Sequence, residues 1–294
     1  MITLNELLRN RNIDLSNDTI LIRHKDNRSK KDNRLKIDMF DLIEKDYLKY
    51  YQSVQFQPIF ENKKYWIVFI GLEQSKAMLY EIYEIKGTRN VESINIPKDI
   101  RKMFPEWFVE NEKNRKWYNL EPINEFDDLK QRVIIKWNNP IAWVQNYSKK
   151  NIEIIEILPT GYVKDFIDYL DFTLTYNELK KIYTHKDANK RWIDKLSSVN
   201  GIYLILDKKT GNQYVGSAYG KNGIWGRWEN YVNNGHGKNK LLEELVENNE
   251  NYVANFQWTV LETLPANLSK DKVISYEKKY KEKLGTRVFG LNLN

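Results

Sequence analysis

Residues 201–218 read GIYLILDKKTGNQYVGSA. Two apolar runs, GIYLILD and QYVGSA, flank a Lys-Lys-Thr-Gly-Asn turn, a pattern that predicts two antiparallel strands. Each strand delivers one tyrosine, Tyr203 and Tyr214. Downstream, GIWGRWENYVNN (223–234), KNKLLEELVENN (238–249) and DKVISYEKKYKEKLG (271–285) have helical periodicity. FQWTVLETL (256–264) alternates and reads as a third strand. A three-stranded antiparallel sheet flanked by helices predicts an α+β domain over 199–294.

In the first of these helices Trp225, Trp228 and Val232 lie at i, i+3 and i+7 and are assigned to the core. Arg227 and Tyr231 lie at i and i+4 on another face. An exposed arginine stacked on an exposed tyrosine explains the pair, and so does a guanidinium gripping a phosphate beside a phenol. In the last helix Val273, Glu277, Tyr280 and Leu284 form one stripe expected to face the core. A carboxylate there is costly unless paired or metal-bound. Glu277 is therefore either an edge residue paired to a lysine such as Lys281, or a ligand for a divalent cation. Mg²⁺ often takes only one or two carboxylates and completes its shell with water and phosphate. Tyr203 stands near the start of its strand. A free phenol has a pKa of about 10, and a nearby guanidinium and metal ion favour the phenolate, which acts as a general base toward water.

The ordered set resembles the GIY-YIG nuclease family. It comprises Gly201-Ile202-Tyr203, Tyr214-Val215-Gly216, Arg227-x-x-x-Tyr231, the helix glutamate Glu277 and a closing Gly290-Leu291-Asn292. The resemblance covers about the last third of the chain. It implies Tyr203 as general base or water positioner, with Tyr214 orienting water or phosphate. It implies Arg227 stabilising the pentavalent phosphoryl group and Tyr231, histidine in some members, supporting the nucleophile. Glu277 would hold a single Mg²⁺ or Mn²⁺, and Asn292 would bind substrate or brace the site. Repair-type members carry a lysine directly after the YVG-like triad, where this chain has Ser217; Lys221 is a candidate substitute. His236 and Lys238, in and after a Gly-His-Gly turn, are candidate DNA contacts. His24 and His185 have no zinc-site spacing.

Composition sets the wider bounds. The 294 residues carry a formal charge of +7, are 13% aromatic and include no cysteine. Disulfides and thiolate metal sites are thereby excluded, which fits a reducing, cytoplasmic setting. No apolar run approaches the length that spans a bilayer, and MITLNELLRNRN has no signal-peptide core. A basic chain is attracted to polyanions, and the charge is shared between both halves, so a DNA groove must be built by folding.

The chain upstream divides in two. Residues 1–160 predict a curved mixed α/β domain, with strands at TILIRHKD (19–26), YWIVFIG (65–71), AMLYEIYEIKG (77–87), RVIIKW (132–137) and IEIIEIL (152–158). A charged loop, DNRSKKDNR, follows the first strand, and Glu73-Gln74-Ser75 links the second to the third. A helix is expected over 39–56 and a short one at IAWVQNY after Asn139-Pro140. Residues 161–198 read as a helical connector, formed by DFIDYL and LTYNELKKIYTHKDANKRWIDKLSS, with Thr175 and Glu178 spaced as a capping box.

The cluster of polar and aromatic residues with Arg23, His24, Tyr51 and Gln55 loosely resembles PUA-like barrel readers, which accommodate a flipped base. A structural or dimerising role for this domain stands beside that reading. The functional expectation is a Mg²⁺-dependent DNA endonuclease of restriction type, targeted by its N-terminal domain and responsive to modified bases if a base pocket exists. A homodimer is one route to double-strand cleavage. A repair or mobile-element nuclease and a non-catalytic DNA-binding protein with a decayed site are the alternatives. Retention of both Arg227 and Glu277 speaks against decay. The scissile phosphate is alike in DNA and RNA, so these residues do not discriminate the polymers.

Overall fold

A computed structural model describes residues 2–11, 18–25, 39–73, 75–91, 94–96, 98–102, 115–139, 141–147, 152–249 and 251–293. Two compact units emerge, Met1–Leu158 and Pro159–Asn294. The charged loop after the first strand, Gln74 and Pro140 lie outside the described residues. No described helix is long and apolar enough to cross a membrane.

The first unit is built on β1 (Thr19–His24), β2 (Val54–Gln55), β3 (Tyr65–Gly71), β4 (Lys76–Asn90), β5 (Lys116–Pro122), β6 (Val133–Lys136), β7 (Val144–Asn146) and β8 (Ile154–Ile157). They form one mixed sheet in the order β2-β5-β4-β3-β1-β7, with β6 joining β4 to β8. Among the described residues, only β1 and β3 run parallel. Bulges at Val68/Phe69 and Ile85/Thr88 bend the long central strands. One face gathers Ile20, Ile22, Trp66, Val68, Tyr83, Tyr118 and Leu120 around Phe60. The Phe60 ring lies 5.0 Å from Trp66, 6.3 Å from Tyr118 and 5.7 Å from Trp143. Residues from both ends of the strand order thus meet on one ring, so the sheet curls. The opposite face, with Leu21, Ile67, Phe69 and Leu79, is covered by Leu4 and Leu8 of helix Leu4–Arg9 and by Phe126 and Leu129.

Two helical expectations fail in this unit. The stretch 39–56 is two short helices, Met39–Glu44 and Leu48–Ser53, followed by β2. Asp46 adopts φ 56° between them, a left-handed conformation that ends the first helix. The IAWVQNY segment contributes strand β7 at Val144–Asn146 instead of a helix, because those residues pair with β1 at Ile20, Leu21 and Ile22.

The second unit has a four-stranded antiparallel sheet, β11-β10-β12-β9, where the sequence suggested three strands. Its strands are β9 (Leu174–Thr175), β10 (Asn200–Asp207), β11 (Gln213–Ala218) and β12 (Phe256–Leu264). The added strand begins the segment read as a continuous helical stretch. After it come two helices, Tyr176–Thr184, opened by the Thr175–Glu178 capping box, and Lys190–Ser197. DFIDYL is not helical; the Asp168 carboxylate accepts from the Leu170 N–H, a local turn that competes with helix. Residues 161–198 belong to the second unit: Phe166, Leu174, Leu179, Ile182, Trp192 and Leu196 share one core with Tyr203, Trp228 and Trp258.

Candidate active site

Alternation along β10 and β11 sends their side chains to two different helices. Tyr203, Ile205 and Tyr214 face helix Gly223–Asn234, while Ile202 and Val215 face Val273 of helix Lys270–Leu284. β11 is the edge strand, so groups from both faces converge around it. A bulge between Ile202 and Tyr203, opposite Leu261, resets the register where the first tyrosine leaves the backbone. Gly216 pairs with Tyr203 across the ladder, and a Cβ there would overlap the phenol ring. The glycine is what lets the ring lie flat on the strand.

The Tyr203 hydroxyl lies 2.9 Å from that of Tyr231, and Arg227 Nε donates to the Tyr203 oxygen at 3.2 Å. The guanidinium carbon sits 5.5 Å from the centre of the Tyr231 ring. Both phenols are fully buried. Burial pushes the Tyr203 pKa up, aided by Tyr214 and opposed by Arg227. It pushes the Tyr231 pKa up as well, aided by Tyr203. Desolvation outweighs the guanidinium, so Arg227 by itself does not bring the Tyr203 phenol below its ordinary range. Burial opposes the Arg227 charge, but the phenol oxygens around it outweigh that and keep it firmly protonated. Trp225, Trp228 and Val232 are buried as their spacing requires, and Tyr231 joins them instead of lying on an exposed face.

On the other face, the Ser217 hydroxyl donates to Glu277 Oε2, and the Lys281 ammonium stands 2.6 Å from Glu277 Oε1. Lys281 is itself buried, and its pairing with Glu277 is one of the two alternatives its spacing left open. Leu284, grouped with the buried stripe by sequence, is 42% exposed; within this helix Val273 and Lys281 are the buried residues.

These groups open on one cleft of about 830 Å³. Tyr214, Ser217, Arg227 and Glu277 line it, with Lys221, Lys238, Lys278, Lys281 and Arg287. Among the described residues Glu277 is the only acid in this lining, against six cationic side chains. Such a surface suits a polyanion carrying one coordinated cation. Each Glu277 oxygen already accepts one donor, which leaves lone pairs for a metal but only one carboxylate to hold it. No cluster of three or more potential ligands occurs among the described residues. A single carboxylate fits only a cation that completes its shell with water or other oxygen donors, the habit of Mg²⁺.

The other residues proposed from sequence fall in three places. Lys221 and Lys238 line the cleft. Asn292 sits outside it: its carboxamide accepts from Val215 N–H and donates to Val215 C=O, both at 2.9 Å, bracing β11. His236 is also outside, with Nδ1 3.5 Å from Glu243 and accepting from the Lys238 N–H at 3.3 Å. Arg23 and Gln55 belong to the first unit. The Arg23 guanidinium stacks 4.9 Å from the Trp137 ring, buried, and Gln55 lines a separate pocket. Lys278 and Arg287 were missed. Lys278 had a signal: Ile274, Glu277, Lys278 and Lys281 follow helical spacing on one face.

No family model and no curated protein matches the chain. Among solved structures it is similar to the catalytic domain of the homing endonuclease I-TevI. It is 26% identical over 32% of this chain and 98% of that one. A point mutant of the same catalytic domain is 24% identical over 33% of this chain and 94% of that one. The TM-score is 0.26 in both cases.

Proposed function

We propose that the second unit is a Mg²⁺-dependent endonuclease that hydrolyses DNA phosphodiesters, and that the whole chain is a restriction or defence enzyme with a targeting N-terminal unit. The observation that carries this reading is the convergence of one guanidinium, Arg227, and one carboxylate, Glu277, on a single cationic cleft. The order of residues shared with GIY-YIG nucleases supports it.

Arg227 spends its Nε on Tyr203, and its terminal nitrogens have no hydrogen-bond partner among the described residues. The fork is thereby aimed and left free for two phosphate oxygens. Tyr203 and Tyr231 act as positioning residues that hold this fork from behind. Tyr214, whose ring is 6.5 Å from that of Tyr203 and which lines the cleft, is the phenol that meets water or phosphate. Water attacks phosphorus in line, the bond to the leaving sugar oxygen breaks, and the proton lost by water ends on solvent or on that oxygen. Charge gathers on the phosphoryl oxygens, where Arg227 and the cleft lysines stabilise it. A Mg²⁺ or Mn²⁺ ion on Glu277 would supply Lewis-acid stabilisation of the same charge. Ser217 and Lys281 keep the carboxylate oriented, and Lys281, not Lys221, is the lysine nearest to it.

One such cleft cuts one strand, so double-strand cleavage requires a homodimer or two encounters. The test is incubation of the purified chain with plasmid and with modified and unmodified phage DNA, with and without Mg²⁺, followed by sequencing of the ends. Metal-dependent cleavage lost in Arg227→Ala supports the reading. Absence of cleavage on every DNA, with cleavage of RNA in parallel, would move the substrate class, and inertness on both would end it. Equal cutting of modified and unmodified DNA removes any role for base modification.

A further inference from the structure

β11 ends at Ala218, and the chain leaves the sheet at Tyr219. Gly220 has φ 101°, in the left-handed region, and its carbonyl accepts from the Gly223 N–H at 3.1 Å, so the strand turns at once into helix Gly223–Asn234. Side-chain alternation carries past the end of the strand. Val215 packs with Val273, Ser217 donates to Glu277, and Tyr219 meets Lys270, all three on helix Lys270–Leu284. Tyr219 is therefore on the Glu277 side of the cleft. Its Cα lies within about 7 Å of that of Ser217, two residues back, a span of roughly two nucleotides at about 3.4 Å each along one strand.

Among the described residues Tyr219 is the one large hydrophobic of the cleft lining that is exposed, at 42%. Tyr214, the other tyrosine of the lining, is buried. The Lys270 ammonium stands 5.6 Å from the centre of the Tyr219 ring, a cation–π distance that favours this ring position from one side. The Tyr219 hydroxyl has no hydrogen bond among the described residues. Neither core packing nor a polar partner accounts for a phenol at this place. Six cationic side chains already serve the phosphates, so a neutral ring adds little toward them. What it adds is a flat apolar face.

We propose that Tyr219 is a stacking platform for the substrate: its ring lies against the face of a base whose nucleotide adjoins the phosphate held at Arg227 and Glu277. An aromatic side chain beside a cationic groove is a general means of holding one strand, and stacking serves every base because each has a π-face. A strand whose base at this position is free to leave its neighbours is then favoured over one whose bases are locked in their own stack. The inference rests on the reading of the second unit as a DNA-cleaving site, and Tyr219 belongs to none of the motifs that carry that reading.

The experiment measures binding by the full chain in EDTA, so that no strand is cut. Two dye-labelled single strands of equal length are compared by fluorescence anisotropy: oligothymidine, and the same sugar–phosphate chain with abasic residues throughout. Their phosphates are alike, so the ratio of affinities isolates the bases. The wild type is expected to favour oligothymidine by roughly tenfold or more, within what one stacked base contributes. Tyr219→Ala should cut that ratio by roughly tenfold and leave the thermal melt in place, because the side chain is exposed. Tyr219→Leu, which keeps bulk without a flat face, should do the same, and Tyr219→Phe should retain the ratio. Arg227→Ala should weaken both strands alike and keep the ratio. Failure to bind either strand, or a ratio near one in the wild type, overturns the proposal, and so does a ratio untouched by Tyr219→Ala. Equal loss on both strands in Tyr219→Ala makes the phenol a phosphate contact, and loss of the ratio in Tyr219→Phe makes it a hydrogen-bonding group; both overturn stacking. A ratio that depends on Tyr219, in a chain that cuts no DNA in Mg²⁺, counts against the nuclease reading alone.

Discussion

Arg227 Nε lies 3.2 Å from the hydroxyl of Tyr203, and that hydroxyl is out of reach of solvent. The arginine is therefore anchored by its inner nitrogen to a phenol that cannot be hydrated, and only its outer fork is available to the cleft. Replacing it by alanine should lower the cleavage rate by roughly 10²–10³-fold, the scale seen when one preorganised charge-stabilising donor is removed. Arg227→Lys should rescue little, because a point charge reproduces neither the anchor nor the fork. Single-turnover rates on plasmid DNA, with circular dichroism to verify folding, test both.

Glu277→Gln keeps the size of the side chain and removes its charge. Mg²⁺-dependent cleavage should be lost, and the melting temperature should fall, because the buried Lys281 ammonium loses this carboxylate. Isothermal titration with Mg²⁺ and a short DNA should show Mg²⁺ binding lost; wild-type activity in this variant would remove Glu277 from the metal's shell.

Lys281→Met retains the buried aliphatic stem and deletes the ammonium 2.6 Å from Glu277. The half-buried carboxylate is then left with Ser217 alone. A stability loss on the order of 1–3 kcal/mol is expected from the unbalanced group. Denaturant titration of the variant beside Glu277→Gln/Lys281→Met measures it, and the double variant should recover much of the loss.

Gly216→Ala should be among the most damaging single-methyl changes in the second unit. The added carbon overlaps the Tyr203 ring, so ring or strand must move, at a cost of roughly 1–3 kcal/mol. Cleavage should fall further than stability does, because the displaced phenol carries Arg227 with it. A melt and a cleavage assay on the same preparation distinguish this from simple unfolding.

Two pH dependences of stability follow from buried groups. The pKa values of Tyr203 and Tyr231 are raised on folding, so the unfolded chain loses these protons first as pH climbs. Their contribution is complete below about pH 10 and declines above it. Tyr231→Phe should flatten the alkaline limb of a melting-temperature profile. His24 has the opposite sense: folding lowers its pKa to about 4 from an ordinary 6.5, so the unfolded chain takes up the proton first on acidification. Its contribution is present above about pH 6.5 and falls away toward pH 4, by roughly 3 kcal/mol in all. His24→Gln should flatten that acid limb.

The second unit was legible in its sequence to the extent that local pattern and tertiary packing agree. β10, β11, β12 and helix Gly223–Asn234 sit where alternation and helical spacing put them, and the Thr175–Glu178 capping box formed. Leu174 reads as helical in sequence because two residues of strand carry no period of their own; their pairing to Trp258 and Gln257 is decided by a partner more than eighty positions away. Tyr231 illustrates the same limit. Spacing alone sets it beside Arg227, but its burial follows from Tyr203 arriving from the sheet.

In the first unit the strands with strong β-branched content were readable, whereas β2, β5 and β7 were not. Each is short or polar, and each is a strand only because a neighbour supplies its hydrogen bonds. The pocket that Gln55 lines was half visible. His24, Tyr51 and Gln55 lie in two segments that stand out for their composition. Trp143, Phe56 and Arg115 reach the same place only through the curl of the sheet.

Asn292 has a consequence for self-association. Its carboxamide occupies both backbone groups of Val215, and the Leu291 N–H bonds the Gln213 carbonyl at 2.8 Å, so three outward backbone groups of β11 are already paired. An extended segment from another molecule finds those groups taken, which works against edge-to-edge stacking of two sheets on that border. The other border of the sheet, β9, carries no such cover from Asn292, so strand-to-strand pairing of two copies is directed away from the β11 side.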